Sequence, residues 1–535
     1  MKKGLKSLVM LLLVVMIIAG CSTPEGANPA GTNESGGDSG DSEQTTKDSD
    51  SGEQSKYGGT LKISDLSGAQ SLDPHKVTGA ASMHYIENMY NTLFDYKEGS
   101  YGVLEGELVK DYKVSDDGKK YTFTLHDNVK FHNGDALTSE DVKYSINRIV
   151  ELGVRAQQFE MIEKIETPAD NKVVITLKQP TAPFLTYLGK PMNAIVDKKV
   201  VEANGGSLAS ADGGSGPFQL VKWQKGQQLT LKKFDDYFVD GRPYLDKVVW
   251  KTIPDATSRN TAIRNGEINI DLQLNPKDVK LLKEADGVEV KSVPGTYWEY
   301  IGLNVHKGPL KEKKVREAIA WAVDRKALNK VVKFGQASVL KSGPIPPGHW
   351  AHLDEAIYPK QNLDKAKQLL KEAGYGDGFD ISMIVSPNES QVKAAQVVKQ
   401  QLKKVGINVE VRQLESSIFF EKLGQHKFEM TIVGWVGFVD PDEYLYNIFH
   451  TDGQYNQQGY SNPKVDELLE KGRTTLDREK RKEIYDKAQK IIAQDAPMVF
   501  LYVNAQASAL TDNVRGFDVN PTVSTKSLVN TWLAK

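Results

Sequence analysis

The chain has 535 residues, 26% of them charged and 39% hydrophobic, which is enough material for two or three globular domains. Its formal net charge of −2 gives no long-range pull toward nucleic acid or anionic lipid, so no nucleic-acid partner is expected. A single cysteine, Cys21, excludes an internal disulfide and a cysteine metal cluster.

Lys2, Lys3 and Lys6 form a basic start. Leu8 to Ala19 is an apolar run of about a dozen residues, short of the ~20 that a membrane-spanning helix needs. Ile18-Ala19-Gly20-Cys21 ends the run with small residues before the cysteine, the pattern of a lipobox. The expectation is a lipoprotein signal peptide over 1–20, cleaved before Cys21, with the thiol diacylated; two acyl chains suffice for stable anchoring. That places the protein at the cell membrane on its extracellular face, or on the periplasmic side if the envelope has an outer membrane. Residues 22–56 contain no Val, Ile, Leu, Met or aromatic residue. Such a segment cannot bury enough apolar surface to offset its ordering entropy, so 21–56 reads as the lipidated cysteine and a disordered linker.

The folded body begins near Tyr57 with a short strand, Gly59–Ile63, then Leu72-Asp73-Pro74-His75 and a helix over 82–93. In residues 108–148 the local signals agree best. Asp116-Asp117-Gly118 is a turn, and Tyr121, Phe123 and Leu125 alternate with polar residues as in a half-buried strand. Val129-Lys130-Phe131 resumes the alternation, which predicts a hairpin, and Asn133-Gly134-Asp135 ends it. Thr138 caps a helix with Asp141 bonding back, and Val142, Ile146 and Ile149 recur at helical spacing. Gly213-Gly214-Ser215-Gly216 leads into a strand, Phe218–Trp223. With no helix N-terminus after it, it is not read as a phosphate cradle. Strands and helices then alternate to the C-terminus, which suggests α/β architecture with mixed sheets.

Read whole, VSDDG…YTF…VKFH…LTSEDVKYSINR (114–148) resembles the extracellular solute-binding proteins of peptide-type ABC importers, the dipeptide/oligopeptide-binding class. So do Gly216-Pro217-Phe218, the block Gly241-Arg242-Pro243-Tyr244, the strand Tyr297–Asn304 and the helix Val315–Arg325. The resemblance runs from Tyr57 onward. It implies a two-lobed, periplasmic-binding-protein-like fold with a hinge. Lobe I would be 57–97, 216–303 and 500–535; an inserted accessory domain 98–215; and lobe II 304–499. It also implies a monomer, not an enzyme, that captures a di- or oligopeptide or similar small solute and delivers it to permease and ATPase subunits. No cofactor is expected. A non-peptide ligand (opine-like, an oligosaccharide, a metal chelate or haem) stays open, as does a receptor for pheromone-like peptides.

For a secreted hydrolase, the remaining alternative, no nucleophile elbow, His-Glu-x-x-His or Walker sequence is present. The nine histidines are scattered; His349 and His352, the closest pair, lack a third convergent metal ligand. The stretch Phe428–Phe449 is more promising, because loops at strand ends of α/β sheets line ligand crevices. Trp435 can wall a pocket, and Gly434 allows close approach. The candidate wall is Thr78, Gly79, Ala80, Ala81, Tyr297, Trp298, Gly434, Trp435, Phe438 and Asp440. The resemblance implies an aspartate soon after the Gly-Trp pair, holding the ligand's α-ammonium. Here Phe438 comes instead, and the next carboxylate is Asp440. Either Asp440 shifts into that role or the ligand is not a free-amine peptide.

Overall fold

The computed structural model describes residues 56–77, 80–97, 104–437 and 439–535. The signal peptide, Cys21 and nearly all of the linker lie outside these residues. Among the described residues no helix is long and apolar enough to cross a membrane.

The strands at 120–125, 172–177 and 247–252 show period-two burial, whereas those at 430–436 and 498–511 are buried on both faces for most of their length. β1 (Thr60–Asp65), β2 (Phe94–Tyr96), β3 (Leu104–Gly106), β4 (Val109–Val114), β5 (Lys120–Leu125), β6 (Ile162–Ala169) and β7 (Lys172–Leu177) come first. β8 (Phe218–Gln224), β9 (Gln228–Lys233), β10 (Lys247–Thr252), β11 (Ile270–Asp271) and the 16-residue β12 (Val288–Leu303) follow. β13 (Ser338–Val339), β14 (Phe379–Val385), β15 (Ile407–Gln413), β16 (Met430–Val436) and the 14-residue β17 (Met498–Thr511) complete the main set.

One mixed sheet of 11 strands runs in the order β15-β14-β16-β12-β17-β11-β1-β10-β9-β8, with β13 attached to β17. Two lobes are built on it. The first packs Leu61 and Ile63 of β1, Trp250 of β10 and Leu510 of β17 against the helix Ala80–Met89. The second covers both faces of β14, β16 and the far half of β12: Ile301, Ile381 and Ile432 face one core, Tyr300 and Val433 the other. Among the described strands, β12 and β17 alone belong to both lobes. Their ladder breaks between the pairs Pro294/Ala505 and Trp298/Val503, so that Gly295, Thr296 and Tyr297 oppose Asn504 alone. A ladder irregularity of this kind bends and twists the strands that carry it.

The accessory body is a four-stranded sheet, β4-β5-β7-β6, covered by the helix Ser139–Leu152. The helix starts where the sequence signals put it. Asp141 accepts a hydrogen bond from the Thr138 N–H at 2.9 Å, and Gly153 closes the helix at φ 73°. The hairpin is different from the one expected. β5 turns back through Asp116-Asp117-Gly118 onto β4 and pairs β7 on its other edge. Residues 129–131 form only an isolated bridge, Lys130 to Ala136. With both edges of β5 taken, the second apolar run has no ladder to join. Val129 and Phe131 still enter the accessory core, which takes in Leu93 and Phe94 and ends near Ile195. Val196, Val201 and Leu208, with Met192 and Ala194, pack in the first-lobe core.

Two features fix the junction where the chain passes between the accessory body and the first lobe. The Gly216 N–H donates to the Met89 carbonyl at 2.9 Å, and a Cβ at Gly216 would sit 2.6 Å from the Met89 carbonyl carbon. Close backbone approach, not anion binding, is the use of that glycine. The second feature is a buried ion pair. Arg148 donates to both oxygens of Asp73, at 3.0 and 2.6 Å, and approaches His75 Nδ1 at 2.8 Å. His75 Nε2 donates to the Ala194 carbonyl at 2.8 Å. Burial lifts the Asp73 carboxyl, but the Arg148 and Leu208 N–H bonds outweigh it and hold it below its ordinary value. Burial, aided by Arg148, pushes the imidazole down to about 3.

His75 is therefore neutral in the folded protein, while its unfolded counterpart takes up a proton below pH 6.5. Its contribution is present above that pH and lost as pH falls from 6.5 toward about 3. We expect unfolding free energy to drop by about 1.4 kcal/mol per pH unit on its account. Urea titrations across that window should give a shallower slope for His75→Gln; an unaltered slope would refute the assignment.

Candidate functional site

The irregular crossing of β12 and β17 forms the floor of a cavity of about 470 Å³, within the ~300–1,000 Å³ usual for small-molecule sites. Gly295, Thr296, Asn504 and Gln506 lie on this floor. Asn504 Oδ1 is buried there with no hydrogen-bond partner, an acceptor that a ligand N–H can satisfy.

Lobe II supplies an aromatic wall. Trp435, at the end of β16, packs on Tyr455 with ring centroids 4.6 Å apart, and its indole N–H donates to the Glu443 carbonyl at 3.3 Å. Tyr297 leaves β12 on the opposite face and lies over Gly434, where a Cβ would stand 2.0 Å from its hydroxyl oxygen. Glycine at 434 thus leaves room for the tyrosine ring.

The first lobe supplies Met83, Thr522 and Val523. Val523 has φ 65°, a left-handed conformation that costs a β-branched residue on the order of 1–3 kcal/mol. The loop is gripped by Glu87, which accepts from Ser524 Oγ at 2.8 Å and from the Thr525 N–H and hydroxyl. Strain held in place by its surroundings is a mark of functional loops.

The accessory body supplies Arg155, Gln158, Lys190 and Met192. Lys190 forms an ion pair with Glu443 across the cleft, both side chains nearly buried. Glu443 Oε2 also accepts from the Val439 N–H at 3.3 Å. Arg155 donates to the carbonyls of Val77, Pro74 and Met192 at 2.7–3.0 Å and more weakly to Asn193 Oδ1 at 3.4 Å. Burial presses its guanidinium down to about 10.

Of the residues named from sequence, Tyr297 and Trp435 meet in this cavity, and Gly434 supports Tyr297 from behind. Trp298 does not reach it. Neighbours on a strand point to opposite faces, and Trp298 faces the core, fully buried against Tyr300 and Phe500 at 4.8 and 5.8 Å. Asp440 does not line it either. Its two oxygens accept from Arg481 at 2.7 Å each, and it caps the helix Pro441–Phe449 through the Asp442 N–H. Thr78, Gly79 and Phe438 lie outside the described residues; Ala80 and Ala81 open the helix Ala80–Met89, next to the cavity residue Met83. His349 and His352 bond the carbonyls of Val439 and Ile345.

Sequence reading missed Arg155, Lys190, Glu443, Tyr455 and the 521–524 loop. Glu443 directly follows Asp440-Pro441-Asp442, yet nothing local tells which of three carboxylates faces a cleft. Arg473 takes Asp442 at 3.1 Å, Arg481 takes Asp440, and only Glu443 takes its cation from the other side.

Two lobes on a shared sheet, joined by two strands and enclosing an aromatic cavity at the crossing, define a solute-binding protein. The chain belongs to the bacterial extracellular solute-binding proteins, family 5, whose middle-region model matches residues 103–456. It is 31% identical over 485 residues to the probable D,D-dipeptide-binding periplasmic protein DdpA of Escherichia coli strain K12, covering 88% of this chain and 93% of that one. Helicobacter pylori DppA, solved in complex with the peptide STSA, superposes with TM-score 0.76 at 30% identity, covering 90% of this chain and all of that one. AgaA of A. tumefaciens R10, solved in complex with agropinic acid, gives TM-score 0.74 at 30% identity, covering 89% and 99%.

Because Asp440 compensates a buried guanidinium, Asp440→Asn is expected to cost about 3–5 kcal/mol of stability, read as a lowered urea midpoint. Loss of ligand binding at an unchanged midpoint would return Asp440 to the ligand.

Proposed function

We propose that the protein is the extracellular solute-binding component of an ABC importer, capturing di- or oligopeptides between its lobes and passing them to permease and ATPase subunits. The observation that carries this reading is the aromatic cavity at the crossing of β12 and β17, in a chain of this family. Trp435, Tyr455 and Tyr297 offer flat apolar area, and the unpartnered Asn504 oxygen offers a hydrogen bond to a peptide backbone N–H. Hinge closure over the ligand excludes water, and the ion pair between Lys190 and Glu443 spans the closed cleft. In this reading the protein binds without turnover, acts as a monomer, and is tethered through lipid on Cys21.

A second reading has its own support. Phe438 stands where the resemblance expects an amine-binding aspartate, and Asp440 is committed to Arg481. With a relative that binds agropinic acid, this favours an opine-like solute as the alternative.

Detergent-solubilised full-length protein, purified without refolding and screened against di- to pentapeptides and opines, should gain about 2.7 kcal/mol of stability at a hundredfold excess over Kd. Mass spectrometry of ligand retained on native purification identifies the class. A peptide panel without any shift, and no retained peptide, would refute the peptide reading.

Cys21→Ser should move the protein from the membrane to the soluble fraction and abolish labelling by a fatty-acid analogue. Retention of both would refute lipid attachment at Cys21.

A further inference from the structure

The charges around the cavity do not balance. Among the described lining residues there are two cations, Arg155 and Lys190, and one carboxylate, Glu443. Lys190 and Glu443 neutralise each other across the cleft. Arg155 is left with a full positive charge, 6% exposed, and every partner it has is a neutral oxygen. A guanidinium carries five N–H donors, and these bonds use four of them, leaving one on Nη1. The nearest carboxylate that acts on it, Asp73, is already held at both oxygens by Arg148. A buried cation without a counter-ion is costly, and burial accordingly lowers its proton affinity. The four bonds also fix its plane, so its remaining donor meets an incoming acid without ordering cost.

We infer that this cavity selects its solute by a carboxylate group, which docks on Arg155, and that it holds no separate site for a ligand ammonium. The inference rests on the solute-capture reading and deepens it by stating which end of the solute is recognised. An ammonium entering the cavity meets one carboxylate already shared with Lys190 and an uncompensated positive charge nearby. A carboxylate meets the reverse. Peptides would thus be read from their C-terminal acid, with the N-terminus free to vary, and an opine-like acid would satisfy the same contact. Asn504 Oδ1 on the floor adds an acceptor for an amide N–H, a group that peptides keep whether or not the N-terminus is acylated.

The test compares four forms of two peptides, Ala-Ala-Ala and Ser-Thr-Ser-Ala: free, N-acetylated, C-amidated, and both. Affinities for the full-length protein are measured by calorimetry at fixed pH and salt. N-acetylation should change Kd less than about threefold, whereas C-amidation should weaken it at least about tenfold, the scale of a charge-assisted hydrogen bond. In Arg155→Gln the gap between acid and amide should close. If that variant fails to fold, because Arg155 also ties down three carbonyls, the ligand comparison on the natural protein still decides. Equal binding of acid and amide overturns the carboxylate inference while leaving peptide capture standing, and so does loss of binding on N-acetylation. No binding of either peptide in any form overturns both.

Discussion

The broken ladder between β12 and β17 is the constraint on which the rest of the molecule depends. A continuous antiparallel pairing over 14 residues would fuse the two lobes into one stiff sheet. Setting three residues, Gly295 to Tyr297, against Asn504 interrupts that pairing where the strands pass from one core to the next. The interrupted residues Gly295, Thr296 and Asn504 also form the floor of the cavity, with Tyr297 beside them. In the proposed solute-capture reading, hinge and candidate binding site are one local irregularity. A solute lodged there would touch the segment that joins the lobes, which would couple occupancy to closure without any intervening relay.

The buried ion pairs around the cleft follow a simple rule: the partner's position decides the role of each charge. Asp440 and Asp442 draw arginines from their own lobe and serve its packing. Asp73 draws Arg148 from the accessory helix and ties that helix to the first lobe. Glu443 draws Lys190 from across the cleft. Arg155 departs from the rule, with neutral partners only. Buried pairs add little net stability over apolar packing, but losing one member is strongly destabilising. Such pairs therefore fix geometry more than they add to stability.

Much of the fold was legible in sequence. The period-two run at 121–125, the capping residue Thr138 and the Gly-Trp stretch sit where local pattern put them. The failures share a cause. Whether 129–131 joins a ladder depends on whether β5 has a free edge, which is decided by β4 and β7. Whether Trp298 or Tyr297 faces a solute depends on which side of the strand the core occupies. Asp440 and Glu443 look alike along the chain, and only Arg481 and Lys190, 41 and 253 residues away, tell them apart. Local chemistry sets an element; its partners in space set what its side chains do.

The left-handed backbone at Val523 has a kinetic meaning as well. Because Glu87 anchors the turn from beneath through Ser524 and Thr525, the strain is imposed when the chain folds and is present before any solute arrives. A loop already fixed in its contact shape loses no conformational freedom on capture. Under the proposed capture role, loading of the first lobe would need no loop search, and the residence time of the solute would be set by how often the two crossing strands unbend.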